Sequence, residues 1–130
     1  MSAARRRARP VVAAPALLAL AVLVGGCGSD TSIDAPFAGA TAELRADNLA
    51  FEPAELTLPA GVPLRIVLDN LDEGIPHNVR VFQGERELGK SQIVTGPART
   101  EVRFGPLAPA RYQFTCDVHP NMIGTLVVTP

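Results

Sequence analysis

Tyr112-Gln113-Phe114-Thr115-Cys116-Asp117-Val118-His119-Pro120-Asn121-Met122-Ile123-Gly124 reads as a strand, a tight loop and the start of a second strand. Side chains alternate between the faces of a strand, so Tyr112, Phe114 and Cys116 share one face. Two aromatic rings mark that face as interior, and the cysteine closes it. Thiolate, imidazole and thioether then recur three residues apart, at Cys116, His119 and Met122. A buried cysteine ending a core strand is ordinary on its own. The histidine and methionine that follow it point to a metal.

The chain has two histidines, and the second, His77, lies upstream in Pro76-His77-Asn78. Two imidazoles, a thiolate and a weak thioether are the donor set of a blue-copper electron-transfer site. His77, Cys116 and His119 are expected as the strong ligands and Met122 as the weak axial one. Met122 is the only methionine besides the initiator Met1, which favours a ligand role over core filling. Copper must cycle between two oxidation states with little change in geometry, and a thiolate with imidazoles suits both. Zinc is a second possible occupant of a Cys-x-x-His arrangement.

Outward from this loop the chain reads as short strands and turns. Apolar residues do not recur at helical spacing over any long window; short alternating or β-branched runs are bounded by Pro, Gly, Asn and Asp. Strands are expected at Ala42–Asn48, Glu55–Leu58, Leu64–Leu68, Asn78–Phe82, Gln92–Val94, Thr100–Phe104, Arg111–Cys116 and Gly124–Thr129. About eight short strands at this spacing predict an all-β sandwich or barrel in a single domain, residues 41–130. Asp69, Asp72 and Glu73 fall in a loop before His77 and read as solvated. Glu85, Arg86, Glu87 and Lys90 read as a polar hairpin tip.

The N-terminal end has a different character. Arg5, Arg6, Arg7 and Arg9 precede an apolar run from Val11 to Val24, which ends Val24-Gly25-Gly26-Cys27. Fourteen apolar residues suit a signal-peptide core and fall short of the about 20 that span a bilayer. Small residues before a cysteine resemble a lipobox, so residues 1–26 are expected to be a cleaved signal peptide and Cys27 a lipidated N-terminus. An ordinary secretory signal, with Cys27 a free thiol, is the alternative. Residues 27–40 are rich in Gly, Ser, Ala and Asp and read as a flexible tether, spanning about 20 Å root-mean-square. With Cys27 carrying lipid and Cys116 carrying metal, neither cysteine is left for a disulfide.

Without the leader, eight Lys+Arg stand against thirteen Asp+Glu, a net charge of −5. That balance gives no electrostatic footprint for nucleic acid. Membrane attachment would come from the lipid, and the protein would face the periplasm or another extracytoplasmic space as a monomer.

The residues quoted above, together with Phe51-Glu52-Pro53 and Pro59-Ala60-Gly61, resemble the cupredoxins, in particular the plastocyanin and amicyanin group of small blue-copper proteins. The resemblance covers about Thr41 to Pro130, and the His-to-Met spacing matches the short amicyanin-like loop. It implies an antiparallel Greek-key sandwich of about eight strands holding one type 1 copper ion. It implies that Asn78 braces the two ligand loops near the cysteine. It implies a mostly apolar end around Ile75, Pro76, Pro120 and Asn121, where His119 nears the surface and a redox protein partner (a cytochrome, an oxidase or another copper protein) would dock.

Two positions depart from the pattern. Ala110 stands where glycine often precedes the tyrosine. Val118 stands where relatives often carry proline, and its N–H, if donated to the Cys116 sulfur, would raise the reduction potential. The reading that follows is a membrane-anchored carrier of single electrons and not an enzyme, since no further histidine remains for a second copper centre. Copper binding, delivery or resistance without redox turnover uses the same ligands and is the alternative.

Overall fold

The computed structural model describes residues 33–130. The expected signal peptide and the lipidation site at Cys27 lie outside the described residues. Among the described residues there is no helix, and so none long and apolar enough to cross a membrane.

Eleven strands form the fold: β1 (Ala40–Asp47), β2 (Ala50–Glu52), β3 (Glu55–Pro59), β4 (Leu64–Asn70), β5 (Pro76–His77), β6 (Arg80–Gln83), β7 (Arg86–Lys90), β8 (Val94–Thr95), β9 (Ala98–Phe104), β10 (Ala110–Thr115) and β11 (Ile123–Thr129). They make a four-stranded sheet ordered β2-β1-β4-β9 and a five-stranded sheet ordered β3-β11-β10-β6-β7. A small β5-β8 ladder sits at one end. The all-β sandwich expected from the strand pattern is what the chain forms.

The pairing differs from a purely antiparallel arrangement. β1 runs parallel to β4, with Ala40 opposite Leu64, and β3 runs parallel to β11, with Leu56 opposite Leu126. Both follow from the chain changing sheets between β2 and β3: the strands on either side of the switch lie next to distant partners and not next to each other. The strand expected over Asn78–Phe82 is broken, because Asn78 and Val79 leave the ladder between β5 and β6. Arg86, Glu87 and Lys90, expected at a hairpin tip, lie within β7.

The core comes from the inward positions of both sheets. Leu44, Leu64, Ile66 and Leu68 of one face Val81, Phe114 and Leu126 of the other, all fully buried. Strand β10 alternates as its sequence requires, with Tyr112 and Phe114 inside and Arg111 and Gln113 outside. Phe114 meets Phe51 edge-to-face, ring centroids 5.3 Å apart. Opposite it, Gly124 leaves room for the ring: a Cβ there would collide with Phe114 and with the Ala54 carbonyl. Phe114 is thereby seated two residues before Cys116, and that fixes where the cysteine emerges.

Residues 33–39, expected as part of a tether, lie against the outer face of the β1-β4-β9 sheet. The Arg65 guanidinium donates to the carbonyls of Ile33 (3.1 Å) and Ala35 (3.3 Å). The Phe37 ring has Arg65 at 5.0 Å and Arg103 at 5.5 Å from its centroid. Ala40 N–H donates to the Pro63 carbonyl at 2.9 Å as the segment turns into β1.

Candidate metal centre

His77 arrives from the short β5 strand, paired to Val94 of β8. The loop before it is stapled by Asn70, fully buried at the end of β4. Asn70 Nδ2 donates to the carbonyls of Ile75 (2.8 Å) and Val94 (2.9 Å), and its Oδ1 accepts from the Asp72 N–H at 3.1 Å. One buried amide therefore holds three points of the loop, offsetting the cost of removing its own polar atoms from water.

Cys116 and His119 arrive from the β10–β11 turn. Met122 N–H donates to the His119 carbonyl at 3.0 Å, and Cys116 N–H donates to the Met122 carbonyl at 3.2 Å. These bonds close the loop on itself, with Met122 buried in the same core cluster as Cys116.

The three strong donors converge. Cys116 Sγ lies 3.8 Å from His77 Nδ1 and 3.8 Å from His119 Nδ1, and the two Nδ1 atoms are 3.1 Å apart. These separations are short enough for all three atoms to reach one ion at metal–nitrogen and metal–sulfur lengths of about 2.0 and 2.3 Å. Two imidazoles, one thiolate and a buried thioether nearby are a type 1 copper donor set. His77 and Cys116 are buried and His119 is half-exposed, so one imidazole edge faces outward.

Asp72 is the residue the sequence reading placed wrongly. It is buried, and its Oδ2 lies 2.8 Å from His77 Nε2. With Nδ1 kept bare for a metal, the ring proton sits on Nε2 and is donated to this carboxylate. The same carboxylate accepts from Asn48 N–H (2.6 Å) and Leu49 N–H (3.0 Å) in the β1–β2 turn. Burial pushes its pKa up, but the hydrogen bonds from Leu49, His77 and Asn48 outweigh burial, and the carboxyl ends below its ordinary value. The available signal was that a ligand imidazole needs a partner for its second nitrogen. Asp69, also expected in this loop, instead lies within β4 opposite Arg45 and Arg99.

On the other side, Asn78, next to His77, bonds to Asp117, next to Cys116. Its Oδ1 accepts from Asp117 N–H at 2.8 Å and its Nδ2 donates to Asp117 Oδ2 at 2.9 Å. Asp117 Oδ1 in turn accepts from the Arg80 guanidinium at 3.0 Å. Val118 is exposed, between the buried Cys116 and the half-exposed His119.

Exposed apolar side chains ring this end of the sandwich. Leu49, Leu71, Ile93 and Val118 come from four different loops, each next to a residue that touches a ligand or its support.

Sandwich and donor set together define a type 1 blue-copper site of the cupredoxin kind. The chain belongs to the cupredoxin-like domain family, whose model matches residues 16–128. Among solved structures it is similar to auracyanin B, at 25% identity and a TM-score of 0.65, over 74% of this chain and 94% of that one. It is also similar to auracyanin A, described as a blue copper protein from Chloroflexus aurantiacus, at 23% identity and 0.60, over 69% and 98% of the two chains. Amicyanin from Paracoccus versutus matches at 23% identity and 0.54, over 74% and 86%. The search of curated proteins gave no match.

Proposed function

We propose that this protein is an extracytoplasmic carrier of single electrons, held at the membrane by lipid on Cys27. In this reading His77, Cys116 and His119 would hold the copper, with Met122 as a weaker fourth donor. The carrying observation is the convergence of three donors from two separated turns, with Nδ1–Nδ1 and Sγ–Nδ1 separations that one ion can satisfy. Copper, when bound, supplies the one-electron couple.

The chain's own residues do the rest. Asp72 orients the His77 ring through Nε2. Asn78 ties the Cys116 loop to the His77 loop. The dry sandwich below, closed by Phe114 and Met122, keeps water from the thiolate and resists a change of geometry between oxidation states. His119 is the donor nearest the exterior and so the natural point of electron exit, framed by apolar residues that a redox protein partner could cover. Two auracyanins and an amicyanin as structural neighbours support the carrier. The basic, apolar and Val24-Gly25-Gly26-Cys27 segments support export and lipidation.

Copper binding, delivery or resistance remains the competing reading. A fully buried His77, clamped on its far nitrogen, favours retention of the ion over its hand-off. The test is the visible spectrum and electron self-exchange rate of the copper(II)-loaded protein. Intense blue absorption, lost in Cys116→Ser, with fast self-exchange, supports the carrier. A colourless protein that binds only copper(I) overturns it. Mass spectrometry of the mature N-terminus tests the anchor separately, through the mass of the lipid on Cys27.

A further inference from the structure

The thiolate side of the site carries a charged assembly that the ligand set does not itself require. Asp117 follows Cys116 directly, and its carboxylate is in neither bulk water nor the core. One oxygen takes the Asn78 amide at 2.9 Å, and the other takes Arg80 Nη1 at 3.0 Å. Lys90 Nζ stands 4.0 Å from Oδ2. Arg80 is itself held twice more: its Nε donates to Glu87 Oε2 at 2.7 Å, and its guanidinium carbon lies 4.6 Å from the Phe82 ring centroid.

Ladder register explains why these groups meet. Arg80 is opposite Thr115, the residue before Cys116, and opposite Lys90 on the other side. Strand β6 thus lays a guanidinium beside the point where β10 gives way to the ligand loop. Glu87, Lys90, Arg80 and Asp117 sum to zero charge, so the cluster is neutral while its carboxylate is pinned to Asn78.

One consequence is electrostatic and a second is geometric. A copper(II)–thiolate pair carries one more positive charge than a copper(I)–thiolate pair. An uncompensated carboxylate one residue from the sulfur would favour the oxidised state, and a cation on that carboxylate removes the bias. Geometry gives the second. Asp117 N–H and Asp117 Oδ2 close a reciprocal pair with the fully buried Asn78. Arg80 holds the carboxylate in the rotamer that closes it. An isolated exposed ion pair contributes little, but this one fixes a buried amide that spans both ligand loops.

We propose that Arg80 is a positioning residue of the redox site, which acts through Asp117 to hold the Asn78 clasp closed and to neutralise the charge beside the Cys116 thiolate. The proposal rests on the copper reading for its charge effect and stands without copper for its clasp effect.

The clasp is tested in metal-free protein by amide hydrogen exchange. R80Q should speed exchange at the Asp117 N–H at least several-fold, and R86Q, at an exposed arginine of the same hairpin, should not. Unchanged exchange at Asp117 in R80Q overturns the clasp. The charge effect is tested by cyclic voltammetry on copper-loaded wild type, R80Q, D117N and the double variant. R80Q should lower the potential, D117N should raise it, and R80Q added to D117N should have a smaller effect than in wild type, because without its carboxylate the guanidinium is no longer held beside the thiolate. R80K, which keeps the charge without the fork, should recover part of the potential. A shift in R80Q that is absent, or equal in both backgrounds, overturns action through Asp117. A wild-type chain that takes up no copper overturns the copper reading itself, and the exchange result still decides the clasp.

Discussion

Asp72 Oδ2 and His77 Nε2 lie 2.8 Å apart, while the opposite nitrogen of the same ring faces the Cys116 sulfur at 3.8 Å. The carboxylate thus sets which nitrogen keeps its proton and which way the bare one points. It is a buried charge, tolerable because two backbone N–H groups and the imidazole all donate to it.

Removing that carboxylate should loosen the ligand without removing it. For Asp72→Ala, copper affinity should fall about 10- to 100-fold, the usual range for the partner of a ligand histidine. The blue absorption should survive at saturating copper. Competition titration against a chelator of known affinity measures the loss. Affinity within twofold of wild type would show that packing alone orients the ring.

The same group predicts how metal-free protein responds to acid. Its pKa is lower folded than the ordinary 3.8, so folding favours the ionised form. Its stabilisation is fully present above the unfolded pKa and is lost as pH falls through the folded one. Asp72→Asn removes that dependence. As pH falls below about 4, followed by denaturant titration, the variant should lose less stability than wild type. Parallel pH curves for the two proteins would contradict this.

How much of this was legible beforehand follows the range of each signal. Cys116, His119 and Met122 lie within seven residues, and their spacing carries its own chemistry. Tyr112 and Phe114 declare the buried face by alternation alone. Asp72 was hidden because its partner is a ring nitrogen, and a loop of Asp, Glu and Gly looks the same whether solvated or clamped. The parallel β1–β4 and β3–β11 ladders were hidden because alternation records which face is buried and never which strand is adjacent. Phe37 was hidden because a single aromatic among Ala, Gly and Pro forms no periodic pattern.

The β1–β2 turn stores backbone strain that Asp72 holds in place. Asn48 and Leu49 have φ of 52° and 59°, a region costing a residue other than glycine or asparagine about 1–2 kcal/mol. Leu49 is half-exposed, so its side chain returns little packing energy. Leu49→Gly keeps the N–H that Asp72 accepts and removes the strain, less the extra entropy glycine loses on folding. The expected result is a rise in stability of about 0.5–1 kcal/mol, a few degrees in Tm for a domain of this size. A fall in Tm would mean that Leu49 packs against this end of the sandwich more than its exposure indicates.

The folded unit extends upstream of β1. Strands alone would place the boundary at Ala40, yet Arg65 is bonded to two carbonyls upstream of it, and Phe37 lies between Arg65 and Arg103. Beneath that segment, Glu101 takes Arg103 on one oxygen and has Arg65 at 3.5 Å on the other. Stripping residues 33–39 would expose this ion cluster and remove the acceptors of Arg65. A cation over an aromatic ring contributes about 0.5–1 kcal/mol and a hydrogen bond from a charged donor about 1.5–3. Rehydration of the freed arginines returns part of that. A chain beginning at Ala40 should therefore be about 1–3 kcal/mol less stable than one beginning at Ile33, measured by urea titration. Phe37→Ala in the longer chain should account for about half of the difference. The copper spectrum should be the same in all three, because the segment packs on the outer face of the β1-β4-β9 sheet and contributes no donor. Equal stability of the long and short chains would return residues 33–39 to the tether.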